Sequence, residues 1–219
     1  MLIDLKLEGK TIIVVGGGKE AYRKTQSFVD SGAKIWVISK SFTSDMQKLS
    51  EEKKVALLKT EIQDAKAFVT SLNPKPDMLL AVTDDSKLNL ELVKAAKVCG
   101  SMVYAVDNPT QSDFILPAVA KVGDVKVAVS TSGKSPAMAR VLRQRIEKMI
   151  TPEDLLEIEL QCHVRGILKE RVSDSKARSK VLYEILNNDN IKQTLKQGKI
   201  QEAQELAMKL IEKKEKTSN

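Results

Sequence analysis

Residues 11–21, TIIVVGGGKEA, constrain this chain more than any other stretch. Five consecutive β-branched residues, Thr11 to Val15, read as a strand buried on both faces, as in a parallel sheet. The strand runs directly into three glycines and then into a helix whose apolar face is made by Ala21, Phe28 and Val29. Gly16, Gly18 and Ala21 fit the spacing G-x-G-x-x-A. In that pattern Gly16 permits the tight turn off the strand and Gly18 lets a pyrophosphate approach the backbone. Ala21 keeps the helix close to the sheet. The helix start offers free N–H groups and the positive end of its dipole to phosphates. The strand–glycine–helix context points to dinucleotide binding; the alternative is a glycine-rich turn that binds nothing.

The alternation continues beyond this unit. A first helix is expected over residues 19–31, with Gly32 as its stop, and a second strand over 34–39. A polar helix over 42–52, a short strand over 55–59 and a helix over 64–72 follow, closed by the breaker Asn73-Pro74-Lys75-Pro76. Residues 77–83 read as another buried strand, 84–98 as a helix with Leu88, Leu92, Val93 and Ala96 on its apolar face, and 102–106 as a strand. This order predicts an α/β fold with a Rossmann-type, doubly wound parallel sheet. The pattern then changes. Residues 114–122 and 125–130 read as two strands joined at Gly123-Asp124. Pro136 opens a helix to about Met149, Thr151-Pro152 starts another, and the remainder is helical with a break near residues 187–190. The expected organisation is a dinucleotide-binding domain over 1–113, a small α+β region over 114–150 and a helical domain over 151–219.

A net charge of +7 suits a nucleic acid, an acidic membrane surface or a polyanionic small molecule. Aromatic residues make up only 4% of the chain, too few for stacking platforms on single strands. No Lys/Arg run has the length of a nucleic-acid arm. Cys99 and Cys162 form no C-x-x-C, which argues against a disulfide scaffold and a structural zinc site. The opening MLIDLKLEGK is not a signal peptide and no apolar run is long enough to span a bilayer. A soluble, cytoplasmic protein that binds neither nucleic acid nor membrane is expected.

Several side chains are placed to carry chemistry. The end of the second strand is where an acidic residue normally reads the adenosine ribose, yet here stand Ser39, Lys40 and Ser41. Lys40 suits a 2′-phosphate, which leaves the choice between NAD and NADP open. Thr83-Asp84-Asp85, at the end of a later strand, either touches a cofactor or caps the next helix, with capping favoured for Asp85. Asp107 lies in the loop Asp107-Asn108-Pro109 after the last strand, at the sheet edge where ligands bind. It is either a general base or a turn former before proline. Asp113 is a weaker candidate. The hydroxyl-rich loop TSGKS leads into a helix bearing Arg140 and Arg143, three apart and so on one face. With Lys134 they would form a basic wall for carboxylates, or simply a solvated helix face. The loop is not a P-loop, because the first glycine of that motif falls on Ala128. His163, the only histidine, suits a surface or packing role, the alternative being a metal ligand or proton carrier, and no zinc-type ligand cluster is present.

Three segments in this order, VVGGGKEAYRK, LLAVTDDSKLN and AVDNPTQSDFILPAVAKVGDVKVAVSTSGKSPAMARVLRQRIE, resemble the precorrin-2 dehydrogenase/sirohydrochlorin ferrochelatase family, which also forms the N-terminal part of bacterial siroheme synthase. The likeness covers residues 7–147, about two thirds of the chain. It implies NAD-dependent oxidation of precorrin-2 to sirohydrochlorin, and in some members insertion of ferrous iron to give siroheme. Precorrin-2 is rich in carboxylates, which would account for the basic balance and for Lys134, Arg140 and Arg143. The family's essential aspartate falls on Asp107. The dinucleotide would touch Gly16, Gly18, Lys19 and Glu20 at the first helix start, Lys40 and Ser41 after the second strand, and Thr83. A hydroxyl in the family's serine-rich loop falls on Thr131, but the glycine after it is Ser132 here, which puts a regulatory role in doubt. The resemblance further implies a homodimer formed through residues 114–130 and the following helix, with the active-site cleft beside the helical tail. The competing reading is a non-catalytic NAD-binding or ligand-sensing module on the same fold; a chelatase without redox activity is weaker, because the dinucleotide loop is intact.

Overall fold

The computed structural model describes residues 2–218. The chain divides into two compact units, 1–116 and 117–219.

The first unit is built on β1 (Thr11–Val15), β2 (Lys34–Ser39), β3 (Ala56–Lys59), β4 (Met78–Ala81) and β5 (Met102–Ala105). They form one parallel sheet in the order β3-β2-β1-β4-β5. Strand alternation decides the two faces. Ile12 and Val14 of β1, with Met78 and Leu80 of β4, pack on one side with Ala21, Phe28, Met46 and Leu49. Ile13 and Val15, with Leu79 and Ala81, pack on the other with Val69, Leu92, Val93 and Ala96. Helices α1 (Lys19–Gln26) and α2 (Ser44–Glu51) therefore cover one face, and α3 (Ala65–Ser71) and α4 (Ser86–Val98) the other. This is the doubly wound, Rossmann-type sheet expected from the residue pattern. The order reverses at β1 and β4, so the crevice for a ligand lies at their carboxyl ends.

Two element boundaries differ from expectation by four residues or more, the others by two at most. α1 ends at Gln26 rather than near residue 31, because Ser27 and Phe28 donate to the carbonyls three residues back, Lys24 and Thr25, and tighten the chain into turns before Gly32. The strand expected from Phe114 begins only at Ala118. Phe114 and Leu116 are instead half-buried against the core of the first unit, and Phe114 lies 5.8 Å from the Tyr104 ring.

The second unit holds the hairpin of β6 (Ala118–Val122) and β7 (Val125–Val129), antiparallel across Gly123-Asp124. It continues through α5 (Pro136–Met149), α6 (Pro152–Arg171), α7 (Ser175–Leu186), α8 (Asp189–Lys196) and α9 (Ile200–Ser218). Thr151 and Asp154 close a capping box at the start of α6. Leu160, Val164 and Leu168, four apart on α6, meet Ile185, Ile191, Leu195, Ala203, Ala207 and Ile211 in a separate core. Among the described residues no helix is long and apolar enough to cross a membrane.

Candidate functional site

The three glycines after β1 sit in different surroundings. Gly16 has φ +128, and a Cβ there would stand 2.2 Å from the Val82 carbonyl oxygen, so only glycine fits. A Cβ on Gly17 would fall 1.9 Å from the Ser41 carbonyl oxygen and 2.9 Å from the Ser39 side chain. The loop is also laced to the β2–α2 connection: Gly16 N–H donates to Ile38 and Thr43 N–H to Gly17. Gly18 is open, with nothing in the chain within 4 Å of an added Cβ. It is the N-cap of α1 and gives no side-chain cap to the first-turn N–H groups. A closed turn, an open glycine and an uncapped helix start make a cradle that fits a pyrophosphate.

Lys19 and Glu20 begin α1, as expected. The Glu20 carboxylate turns along its own helix to Arg23 at 2.6 Å and Lys24 at 3.6 Å. Partial burial pushes the Glu20 carboxyl up, but the hydrogen bond and charge of Arg23 and the charge of Lys24 outweigh it and hold it below the usual range. The backbone of Glu20, at the second helical position, remains the group facing the cradle. Lys40 and Ser41 stand at the end of β2, beside Gly17. Lys40 is paired with Glu61 at 2.5 Å, and this partner holds its ammonium above the usual lysine range. Asp84 and Asp85 add further negative charge near it.

Thr83 and Asp107 follow β4, the neighbour of β1 opposite β2, and β5, the edge strand beyond it. The Thr83 hydroxyl is committed: it donates to Asn89 Oδ1 at 2.7 Å and accepts from Asp85 N–H at 3.2 Å. Any ligand contact from Thr83 would thus come from its backbone or methyl group. Asp85 caps α4 by accepting from the N–H groups of Lys87 and Leu88, as expected. Asp107 is exposed. The neighbouring Ser86 side chain lowers its carboxyl below the usual aspartate range, against a smaller desolvation effect, and the Asn89 side chain adds to the lowering. Asp113, by contrast, is spent on the free edge of β5: it accepts from Val103 N–H at 2.9 Å and pairs with Lys97 at 3.2 Å.

Asn89 and Gly17 are the residues that the reading of motifs passed over. Asn89 is 1% exposed and shares a helix stripe with Leu92, Val93 and Ala96. A polar residue on an apolar stripe is the signal that could have found it.

In the second unit, Lys134 and Arg140 are exposed and have no ion-pair partner among the described residues. Arg143 is half-buried and paired with Glu147 at 2.5 Å. Of the two arginines, Arg140 alone offers an unspent guanidinium. The Thr131 hydroxyl accepts from Ser135 N–H at 3.1 Å, and Ser132 sits at φ +52, a left-handed conformation that glycine adopts without strain. His163 and Cys162 are exposed. Among the described residues, no group of three or more His, Cys, Asp or Glu side chains could hold a metal ion.

Comparison with known proteins follows the same division. Residues 3–118 match a family model described as "Putative NAD(P)-binding", and residues 122–149 match one described as "Sirohaem biosynthesis protein central". A precorrin-2 dehydrogenase of Methanosarcina barkeri is 30% identical over 189 residues, covering 85% of this chain and 83% of that protein. The chain belongs to the precorrin-2 dehydrogenase family. A siroheme synthase of Pseudomonas aeruginosa strain PAO1 is 32% identical over 200 residues, 91% of this chain but 42% of that protein. The chain thus spans about two fifths of the length of the siroheme synthases that it matches. The solved structure of SirC, a precorrin-2 dehydrogenase, superposes with a TM-score of 0.74 at 18% identity, covering 95% of this chain and 99% of that one. The family's fold accordingly extends over nearly the whole chain.

Proposed function

We propose that this protein oxidises precorrin-2 to sirohydrochlorin with NAD as electron acceptor. The observation that carries the reading is Asp107, an exposed carboxylate after β5 at the same sheet edge as the glycine cradle after β1. When bound, the nicotinamide supplies a two-electron acceptor that takes up a hydride. Loss of hydride from the macrocycle leaves positive charge and a proton to be released. The Asp107 carboxylate stabilises that charge, accepts the proton and, being exposed, passes it to water. A pure sensor has no need of a carboxylate there. The lowered pKa means that the working, ionised form persists as pH falls, until the medium reaches Asp107's own midpoint.

NAD is favoured over NADP because the charge of Lys40 is already met by Glu61, with Asp84 and Asp85 close by. A 2′-phosphate would enter negative surroundings. Lys134 and Arg140 are assigned to the carboxylates of the tetrapyrrole, with Arg143 a lesser contributor because Glu147 holds it. A homodimer through residues 114–150 is supported by apolar side chains left in solvent on this region: Val119, Met138 and Val141 are 43%, 45% and 36% exposed. Ferrous iron, where the product is metallated, enters as a second substrate.

The test is Asp107→Ala. Turnover of precorrin-2 is expected to vanish while NAD binding, followed by titration, stays close to wild type. Undiminished turnover would remove Asp107 from the mechanism.

A further inference from the structure

Helix α1 carries the glycine cradle at its start and is only eight residues long. The two residues it buries, Ala21 and Thr25, are small and bring little apolar area, with Tyr22 half-buried beside them. Lys24 reaches further. Its side chain is 13% exposed, and its ammonium stands 3.6 Å from the Glu20 carboxylate, one turn back toward the cradle. The same ammonium lies over the Tyr104 ring of β5, 4.7 Å from the ring centre. The Tyr104 ring is in turn 5.8 Å from that of Phe114, and both pack against the core that holds Ala21 and Phe28. An ammonium sheltered from water is attracted to a ring face more strongly than one in solvent. β5 is the edge strand, separated from β1 by β4. Sheet pairing fixes β1 relative to β5, but it does not fix the helix that follows β1. Lys24 ties that helix to β5, and Asp107 comes three residues after Tyr104.

We propose that Lys24 is a positioning residue for the dinucleotide. Held between Glu20 and the Tyr104 ring, it fixes the helix start that receives the pyrophosphate relative to the strand that leads to Asp107. The proposal rests on the reading in which a dinucleotide occupies the glycine cradle. Lys24 acts through the helix and touches no ligand. Loss of either the ammonium or the ring lets α1 shift on the sheet, and the N–H groups at its start lose their aim at the pyrophosphate. Arginine keeps the charge, pairs with carboxylates and stacks on rings, so it restores the tie.

The experiment is an NAD titration of wild type, Lys24→Met, Lys24→Arg, Tyr104→Leu and the double variant Lys24→Met/Tyr104→Leu, with melting temperatures taken alongside. Lys24→Met and Tyr104→Leu are each expected to weaken NAD binding by about three- to tenfold, and the double variant no further than either. Lys24→Arg is expected to bind near the wild-type level. A lower melting temperature with unchanged affinity would reduce Lys24 to a structural part and overturn the proposal. Weaker binding in Lys24→Met with Tyr104→Leu unaffected would make Lys24 a direct ligand contact and overturn it equally. Should Tyr104→Leu fail to fold, the wild type decides by NMR. Its Lys24 ε-methylene protons, assigned by their loss in Lys24→Arg, must lie upfield of those of the other lysines and move on saturation with NAD. A signal at the ordinary lysine position, or one indifferent to NAD, overturns the proposal. The expected pattern of affinities in a protein that does not oxidise precorrin-2 would support Lys24 and defeat only the catalytic reading; a wild type that binds no dinucleotide would overturn both.

Discussion

Gly16, Gly17 and Gly18 are neighbours in the chain, yet a methyl group added to each meets different atoms. At Gly16 it strikes the Val82 carbonyl, at Gly17 the Ser41 carbonyl, and at Gly18 nothing. Gly17→Ala must displace backbone at the β2–α2 connection, at an overpacking cost of about 1–3 kcal/mol. Each kcal/mol lowers the melting temperature by about 2–4 °C in a protein of this size. Gly18→Ala is expected to leave the melting temperature near wild type and to weaken NAD binding, because its methyl group occupies the open space of the cradle. Paired thermal melts and NAD titrations read both effects; equal melting temperatures for the two variants would contradict the packing. Gly16 and Gly18 were legible from the spacing of the motif. Gly17 was not, because its constraint comes from Ser39 and Ser41, which are more than 20 residues away in sequence. Asn89 was hidden because its partner, Thr83, lies six residues back in the loop after β4, off the helix whose apolar stripe Asn89 shares.

The elements themselves were written clearly. β1 and β2 match the expected spans: β1 is a β-branched run buried throughout, and β2 buries Ile35, Val37 and Ile38 while leaving Trp36 45% exposed. α5 opens at Pro136 as expected, with Ser135 capping through Met138 N–H. The start of β6 was less legible, since Phe114 and Leu116 look like strand residues and only the core of the first unit draws them elsewhere. The end of β2 carries a prediction that belongs to two elements at once, because Lys40 after β2 pairs with Glu61 after β3. Both side chains are largely exposed, so the pair adds little to stability, and its expected effect is on ligand choice. Glu61→Gln is expected to leave the melting temperature unchanged and to narrow the preference for NAD over NADP, read as the ratio of the two kcat/KM values. An unchanged ratio would place the origin of the preference elsewhere.

Across the whole molecule, the chain folds as two compact units. The first unit holds the sheet, the glycine cradle and Asp107; the second holds Lys134, Arg140 and Arg143 together with the hairpin and helices. Exposed Val119, Met138 and Val141 on the hairpin and α5 lead us to expect a homodimer. Sedimentation equilibrium should then return twice the 24.2 kDa of one chain, and a mass of one chain at micromolar concentration would remove the dimer from the account. The central claim is catalytic, and anaerobic incubation of the protein with precorrin-2 and NAD, followed by absorbance, tests it most directly, with ferrous iron added only afterwards. The account predicts conversion to the sirohydrochlorin spectrum with stoichiometric formation of NADH, slower with NADP. A spectrum unchanged with either nucleotide, in folded protein that binds NAD, would contradict it and leave a dinucleotide-binding module without this chemistry.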